Sequence, residues 1–217
     1  MKKNFLMVLF LMMALMASAQ DLVVCSYNIR NSNRGDDKNG NGWKTRYEYL
    51  CQQIEFEDPG LFGCQEVKKE QLDDMVARMP EYAYVGVGRD DGKEGGEYSP
   101  VFYKKDRYVL LESGTFWLAE DPTKPVLGWD AACKRVCSWG HFRDKKTKHT
   151  FYFFNTHMDH IGVTARREGA KLIVSKMREL MKKNDPVILT GDFNVDQTSE
   201  PYQVFTNSGF LKDCYVV

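Results

Sequence analysis

The stretch Pro186-Val-Ile-Leu-Thr-Gly-Asp-Phe-Asn194 decides the fold of this chain. Its apolar residues are typical of a buried strand, and Gly191 marks the point where that strand ends. Side chains two apart in a strand share a face, so Asp192 and Asn194 should project together from the carboxyl end. An Asp or Asn at the end of a strand is also common as a simple turn residue that has no role in binding or catalysis. The stretch alone therefore predicts a buried strand with a polar end, and other segments must decide its role.

Three other segments share this layout of an apolar run that ends in polar side chains. They are Leu22-Val-Val-Cys-Ser-Tyr-Asn28, Leu61-Phe-Gly-Cys-Gln-Glu66 and Phe151-Tyr-Phe-Phe-Asn-Thr-His157. A carboxylate can hold Mg²⁺, amides and imidazole can bind phosphate oxygens, and a second carboxylate can orient a water. The four segments together supply what the hydrolysis of a phosphate ester needs. The candidate residues are Asn28, Glu66, Asn155, His157, Asp192 and Asn194.

Five motifs lie in a fixed order along the chain. They are Ser26-Tyr-Asn-Ile-Arg30, Gln65-Glu-Val67, Glu97-Tyr-Ser-Pro-Val-Phe-Tyr-Lys104, Asn155-Thr-His-Met-Asp-His160 and Gly191-Asp-Phe-Asn194. On these motifs the chain resembles the endonuclease/exonuclease/phosphatase family of metal-dependent phosphoesterases, which includes neutral deoxyribonucleases and inositol-polyphosphate 5-phosphatases. The resemblance covers nearly the whole chain after residue 20. It implies an α/β fold, a four-layer α/β/β/α sandwich of two packed mixed sheets flanked by helices.

The resemblance implies a metal ligand at Glu66, with Asn28 beside it. Mg²⁺ prefers few protein carboxylates together with waters and the substrate's own oxygens, and Mn²⁺ is an alternative ion. Without the family match, a Glu at the start of the following helix would be an equally good interpretation, because acidic side chains favour helix N-termini.

The other site residues receive roles from the same resemblance. His157 would protonate the leaving oxygen or stabilise charge on the phosphate, and in several relatives a Glu at the position of Glu97 pairs with this histidine. Asp192 would orient the attacking water, and Asn194 would hydrogen-bond a nonbridging phosphate oxygen. Three further residues are expected to bind the substrate: Asn155, Arg46 and Arg135.

One departure from the family pattern concerns its last strand, which carries a Ser-Asp-His triplet. The present sequence ends at Val217, its last histidine is His160, and it contains no such triplet. We expect a C-terminally incomplete chain that lacks the last strand or strands and is itself inactive. A truncated protein that binds a phosphate ligand without catalysis is the alternative.

Residues 1–19 have the features of a secretory signal peptide. Lys2 and Lys3 precede an apolar core, and Ala17-Ser-Ala19 resembles a cleavage site. The apolar run is shorter than the ~20 residues that span a bilayer, which argues against a membrane anchor. We therefore expect one exported domain, residues 20–217, in the periplasm or outside the cell.

Charge and cysteine content narrow the class of partner. The chain has 30 Lys and Arg against 30 Asp and Glu, and loss of the signal peptide leaves it slightly acidic. A nonspecific nucleic-acid binder usually has a basic excess, so a strong duplex binder is disfavoured. Nucleic acid, lipid phosphate and sugar phosphate all remain candidate substrates, and we expect the protein to be a monomer.

Cys25, Cys51 and Cys64 lie in apolar or helical runs and are expected to be buried thiols rather than disulfides.

Residues 37–48 fit the spacing of a calcium-binding loop, with Asp37, Asn39, Asn41 and Glu48 as ligands. A strand rather than a helix precedes this loop, and Lys44 occupies a position usually filled by an apolar anchor. We favour a loop at the rim of the substrate site over a Ca²⁺ site.

Overall fold

The computed structural model describes residues 22–182 and 185–216, so the expected signal peptide, residues 1–19, lies outside the described residues. Eight strands and five helices are described in these ranges. The strands are β1 Val24–Asn28, β2 Leu61–Gln65, β3 Tyr82–Val85, β4 Val101–Lys104, β5 Tyr108–Trp117, β6 Val136–Asp144, β7 Thr150–His157 and β8 Val187–Asp192. The helices are α1 Arg34–Lys38, α2 Trp43–Glu57, α3 Lys69–Arg78, α4 Val163–Leu180 and α5 Glu200–Thr206.

The strands form two mixed sheets of four strands each. The first sheet has the order β1-β2-β4-β3 and the second has the order β5-β6-β7-β8. β1 is parallel to β2 and β7 is parallel to β8, whereas the other pairs are antiparallel. Each parallel pair is joined through helices, as parallel connections require. The carboxyl ends of these two pairs carry the polar motifs of the sequence.

Strand alternation places the two faces of β7 in different layers. Phe151 and Phe153 pack between the sheets, while Tyr152 and Phe154 pack toward α4 and α5. Asn155 and His157 continue the inward-facing series, because residues two apart share a face. The same alternation in β8 sends Ile188 between the sheets and Leu189 toward the helices.

Three apolar layers confirm the predicted sandwich. One cluster joins α2 and α3 to the first sheet, the second joins α4 and α5 to the other sheet, and the third lies between the sheets. Burial of each large apolar side chain contributes roughly 1.5–3 kcal/mol, so these layers dominate the stability of the fold. The α/β/β/α architecture follows directly from this packing.

Helix α1 is an element that the sequence did not indicate. α1 begins after Asn33, whose side chain accepts a hydrogen bond from the Asp36 backbone N–H. All six cysteines are free thiols; Cys51 and Cys64 are buried as expected, whereas Cys25, also expected to be buried, is only partly buried. Among the described residues, no helix is long and apolar enough to cross a membrane.

Candidate active site

The ends of four strands bring their polar side chains together at one edge of the sandwich. The Asn28 amide donates to Glu66 Oε1 at 3.0 Å and to Asp192 Oδ2 at 2.9 Å. His157 Nε2 lies 3.8 Å from Asp192 Oδ2. We call Asn28, Glu66, His157 and Asp192 the outer polar layer. It joins residues that are up to 164 positions apart in the chain.

Sheet register and a local backbone turn set the geometry of the outer polar layer. Asp192 lies opposite His157 in the β7–β8 pair, and Asn28 lies opposite Gln65 in the β1–β2 pair. Glu66 follows directly with φ 63°, in the left-handed region that non-glycine residues seldom adopt. This conformation turns its side chain so that Oε2 accepts the Asn31 backbone N–H at 3.0 Å.

The Glu66 carboxylate is held in its charged form. Burial alone would raise the pKa of Glu66, but the hydrogen bonds from the Asn31 backbone and the Asn28 amide outweigh burial, and its pKa is lowered. Within residues 22–182 and 185–216, neither Glu66 nor Asp192 forms an ion pair with a lysine or arginine. The two carboxylates, which a neutral amide bridges, offer oxygen atoms as metal ligands. Such ligands suit a hard divalent cation such as Mg²⁺.

Asn155 occupies a different position from the one expected of a substrate-binding residue. It is fully buried, and its amide oxygen accepts from Gln65 Nε2 at 2.7 Å and from Thr190 Oγ1 at 3.1 Å. Its amide nitrogen donates to the carbonyls of Cys64 and Pro100. These contacts use its hydrogen-bonding groups and cross from one sheet to the other, so Asn155 ties the sheets together instead of facing a substrate.

Gln65, Asn155 and Thr190 form an inner polar layer directly beneath the outer one. Gly63 makes room for it, because a Cβ at that position would lie 2.3 Å from Asn155 Oδ1. The layer is thus built from side chains that satisfy one another within the protein.

Two further predicted residues brace the backbone around the outer polar layer. The Arg46 guanidinium donates to the carbonyls of Asn41, Ile29 and Arg30 at 2.7–3.0 Å. These bonds fix the backbone that follows β1. They indicate a structural role for Arg46 rather than direct contact with a substrate. Asn194 is exposed at φ 51°; its backbone N–H donates to Asp192 and its amide donates to the Met158 carbonyl.

Glu97 does not pair with His157 in this structure. One of its carboxylate oxygens accepts from Asn31 Nδ2 at 2.9 Å and the other accepts from Arg89 Nη1 at 2.6 Å. Nδ1 of His157 is buried and has no hydrogen-bond partner within residues 22–182 and 185–216. Burial and the charge of Arg135 lower the pKa of His157 to about 4, so its imidazole is neutral at pH 7.

Arg135 is the predicted substrate-binding residue that the geometry supports most directly. Its side chain is 4% exposed, with Nε 3.3 Å from Asp159 and Nη2 2.9 Å from His160 Nδ1. Nη1 is buried and has no hydrogen-bond partner among the described residues. The positive charge of Arg135 is one cause of the lowered pKa of His157.

Cys133, Asp159 and His160 lie close enough together to hold a metal ion. Arg135, however, contacts both Asp159 and His160, so a guanidinium already supplies the positive charge there. The outer polar layer is the better metal site because its carboxylates have no such cation.

The Endonuclease/Exonuclease/phosphatase family model matches residues 25–214. The chain belongs to this family. The matched segment includes every member of both polar layers.

Solved structures of the family resemble the chain closely. A mannosyl-6-phosphatase from Bacteroides thetaiotaomicron is 51% identical, with a TM-score of 0.88, over 90% of this chain and 74% of that one. An endonuclease/exonuclease/phosphatase family protein from the same organism is also 51% identical, with a TM-score of 0.84, over 87% and 69%. An uncharacterised protein of Acanthamoeba polyphaga mimivirus is 25% identical over 66% of this chain. The match spans only 25% of that relative's length.

Further residues contact the predicted site residues, and of these the sequence motifs include only Asp159. Arg89 and Asn31 hold Glu97, while Asp159 orients Arg135 and caps the following loop through the Ile161 and Gly162 backbone N–H groups. Arg89 lies in a turn-rich segment whose sequence offered no signal for a site. Asp159 did carry a signal, since it lies within the Asn155–His160 motif.

Proposed function

We propose that the protein hydrolyses phosphoesters by in-line attack of water and depends on a divalent metal, Mg²⁺ or Mn²⁺. The outer polar layer carries this proposal. One amide there connects two carboxylates that lack a cationic side-chain partner, beside a neutral histidine and a buried arginine. Such a set matches a site for a metal ion and a phosphate group.

The residues of this chain would divide the work as follows. Glu66, with Asn28 beside it, would hold the metal, which when bound polarises the phosphate and neutralises its charge. Asp192 would orient the attacking water. His157 would donate a hydrogen bond from Nε2 or Nδ1 as a neutral imidazole, and Arg135 would bind a phosphate oxygen through Nη1.

The substrate that we favour is a small hydrophilic phosphate such as a hexose 6-phosphate. The support is the 51% identity to a mannosyl-6-phosphatase, together with the balance of 30 basic and 30 acidic residues. A polyanion such as duplex DNA would call for a basic surface. We also propose that the protein is exported, on the basis of the signal-like residues 1–19.

The test compares hydrolysis of mannose 6-phosphate, p-nitrophenyl phosphate and bis-p-nitrophenyl phosphate in the presence of Mg²⁺, Mn²⁺ or EDTA, by a form of the protein that also carries the Ser-Asp-His strand of the family pattern. We expect EDTA to abolish turnover, a divalent ion to restore it and Asp192→Asn to reduce it by about 10²–10⁴-fold. Asp196→Asn is the matched control, because the Asp196 carboxylate is exposed and accepts hydrogen bonds from Thr198 in the loop beyond β8. Full activity in EDTA, or equal loss in both variants, would refute the proposal.

A further inference from the structure

A polar cavity of about 310 Å³ includes the Glu97–Arg89 ion pair in its lining. Its size is at the lower end of the roughly 300–1,000 Å³ range of small-molecule sites. We refer to it as the polar cavity. It is lined by Lys68, Lys69, Glu70, Arg89, Asp90, Glu94, Gly96 and Glu97.

The polar cavity is connected to the metal ligand through a single residue. Glu97 lines the cavity and accepts a hydrogen bond from the Asn31 amide at 2.9 Å. The backbone N–H of the same Asn31 donates to Glu66 at 3.0 Å. Two hydrogen bonds through Asn31 therefore connect the lining of the cavity to Glu66.

The walls of the cavity alternate hydrogen-bond donors with acceptors. Lys68 donates Nζ to the Ser32 carbonyl. The Lys69 ammonium donates to both carboxylate oxygens of Asp73 at 2.7 Å and lies 3.6 Å from Glu94. Arg89 donates Nη1 to Glu97, and among the described residues its Nε has no hydrogen-bond partner. Glu94 is largely exposed, and Lys69 is its ion-pair partner. A sugar hydroxyl is at once a donor and an acceptor, so it matches such a wall.

The composition of the cavity also argues against other phosphate esters. None of its eight lining residues is aromatic, whereas single-stranded nucleic acid is generally bound by stacking its bases on aromatic rings. None has a long apolar side chain that would pack against an acyl chain. Acidic residues outnumber basic ones in the lining, which disfavours a second phosphate.

We propose that the polar cavity binds the hydroxyl groups of the sugar ring of a hexose phosphate, and so selects the substrate by its non-reacting part. This inference rests on the proposed function and deepens it. Glu94 and Lys69 would contact the ring hydroxyls, and the Glu97–Arg89 ion pair would form the floor between the ring and the reacting phosphate.

The experiment measures kcat/KM for mannose 6-phosphate and for phenyl phosphate, which has the same phosphate but no hydroxyls. We expect Glu94→Gln and Lys69→Met each to lower the ratio of kcat/KM for mannose 6-phosphate to kcat/KM for phenyl phosphate about tenfold. A change of this size corresponds to the loss of one hydrogen bond to a charged group. The controls are Arg167→Met and Glu200→Gln in the cavity beside Asn194, which should leave the ratio unchanged.

A binding measurement supports the kinetics without requiring turnover. In an Asp192→Asn background, where hydrolysis is slow, and with Mg²⁺ present, mannose 6-phosphate should raise the melting temperature more than inorganic phosphate does, and adding Glu94→Gln should remove that excess. An unchanged ratio and equal melting shifts would overturn the cavity assignment while leaving phosphate binding intact. Tighter binding of a single-stranded oligonucleotide that weakens in the same variants would also overturn it. If neither phosphate nor phenyl phosphate is bound or hydrolysed, the proposed function itself fails.

Discussion

The inner and outer polar layers lie on the same strands, one step apart, yet they differ in how their hydrogen bonds are used. In the inner layer, Asn155 makes four contacts, all to protein groups of the two sheets. In the outer layer, Glu66 and Asp192 share a single amide donor, and His157 leaves a buried nitrogen without a partner. The hydrogen-bonding groups of the inner layer are satisfied by one another within the protein. The outer layer, in contrast, has polar groups that are still available to a ligand.

This difference separates stability from binding at neighbouring positions. A satisfied buried polar network contributes to stability, and loss of one member leaves its partners unpaired. Like-charged carboxylates held close together favour binding of a cation and contribute little to the stability of the fold alone. Changes in the inner layer should therefore affect unfolding, and changes in the outer layer should affect ligand binding.

The largest expected effect on stability comes from Asn155→Ala. Four polar groups around Asn155 would lose their partner inside the protein, so we expect the free energy of unfolding to fall by roughly 3 kcal/mol or more. Urea denaturation followed by circular dichroism measures this change. The exposed Asn207 provides the control, because Asn207→Ala should change stability by less than about 0.5 kcal/mol. A change below about 1 kcal/mol for Asn155→Ala would show that the inner layer is not structural.

Asp159 sharpens the comparison because it is buried and pairs with Arg135, the residue that we propose binds a phosphate oxygen. Burial would raise its pKa, but the backbone N–H groups of Gly162, Ile161 and Ala132 and the charge of Arg135 lower the pKa to about 2. Its folded-state pKa is below the unfolded value near 3.9, so its stabilisation is full above about pH 4 and is lost as the pH falls toward 2.

The corresponding variant is Asp159→Asn. We expect it to lower the free energy of unfolding at pH 7 by about 2 kcal/mol, because a shift of one pKa unit corresponds to about 1.4 kcal/mol. We also expect it to weaken phosphate binding, because Arg135 loses its charged partner. The deficit should shrink between pH 4 and pH 2. Denaturation curves at several pH values test this, with the exposed Asp73→Asn as the control. A deficit that stays constant across this range would contradict the assignment.

The smallest effect is expected at residues 37–48, which we predict do not bind Ca²⁺. Glu48, the twelfth position of the loop pattern, lies in α2 with its carboxylate 3.4 Å from Arg78 Nε. A ligand at this position normally contacts the ion with both oxygens. Millimolar Ca²⁺ should leave the melting temperature unchanged. A rise that Glu48→Gln removes would show that the loop is a calcium site outside both polar layers.

The sandwich and the outer polar layer could be predicted because both follow from strand alternation. Apolar runs identify the strands, and period two places Asp192 and His157 on the inward face at the strand ends. The same rule could not distinguish Asn155 from His157, since both lie on that face. Only the packing of the two sheets shows that Asn155 is covered and that His157 lies at the edge.

Contacts made by loops were beyond the reach of the sequence. The pairing of Glu97 with Arg89 depends on how the segment after β3 folds back, fixed in part by the Trp117 indole that donates to the Arg89 carbonyl at 2.7 Å. The anchoring of Arg135 by Asp159 and His160 likewise joins segments 24 and 25 residues apart. Neither spacing has a periodic signature in the sequence.

The most direct test of the central claim is the coupling between metal and phosphate in the outer polar layer. Isothermal titration of inorganic phosphate, with and without Mg²⁺, measures it in the parent protein and in Glu66→Gln, with the exposed Glu57→Gln as control. We predict that Mg²⁺ tightens phosphate binding by at least about tenfold, that Glu66→Gln removes this gain, and that both variants unfold at the parent's temperature. Phosphate binding that is indifferent to Mg²⁺ and to Glu66→Gln would contradict the account.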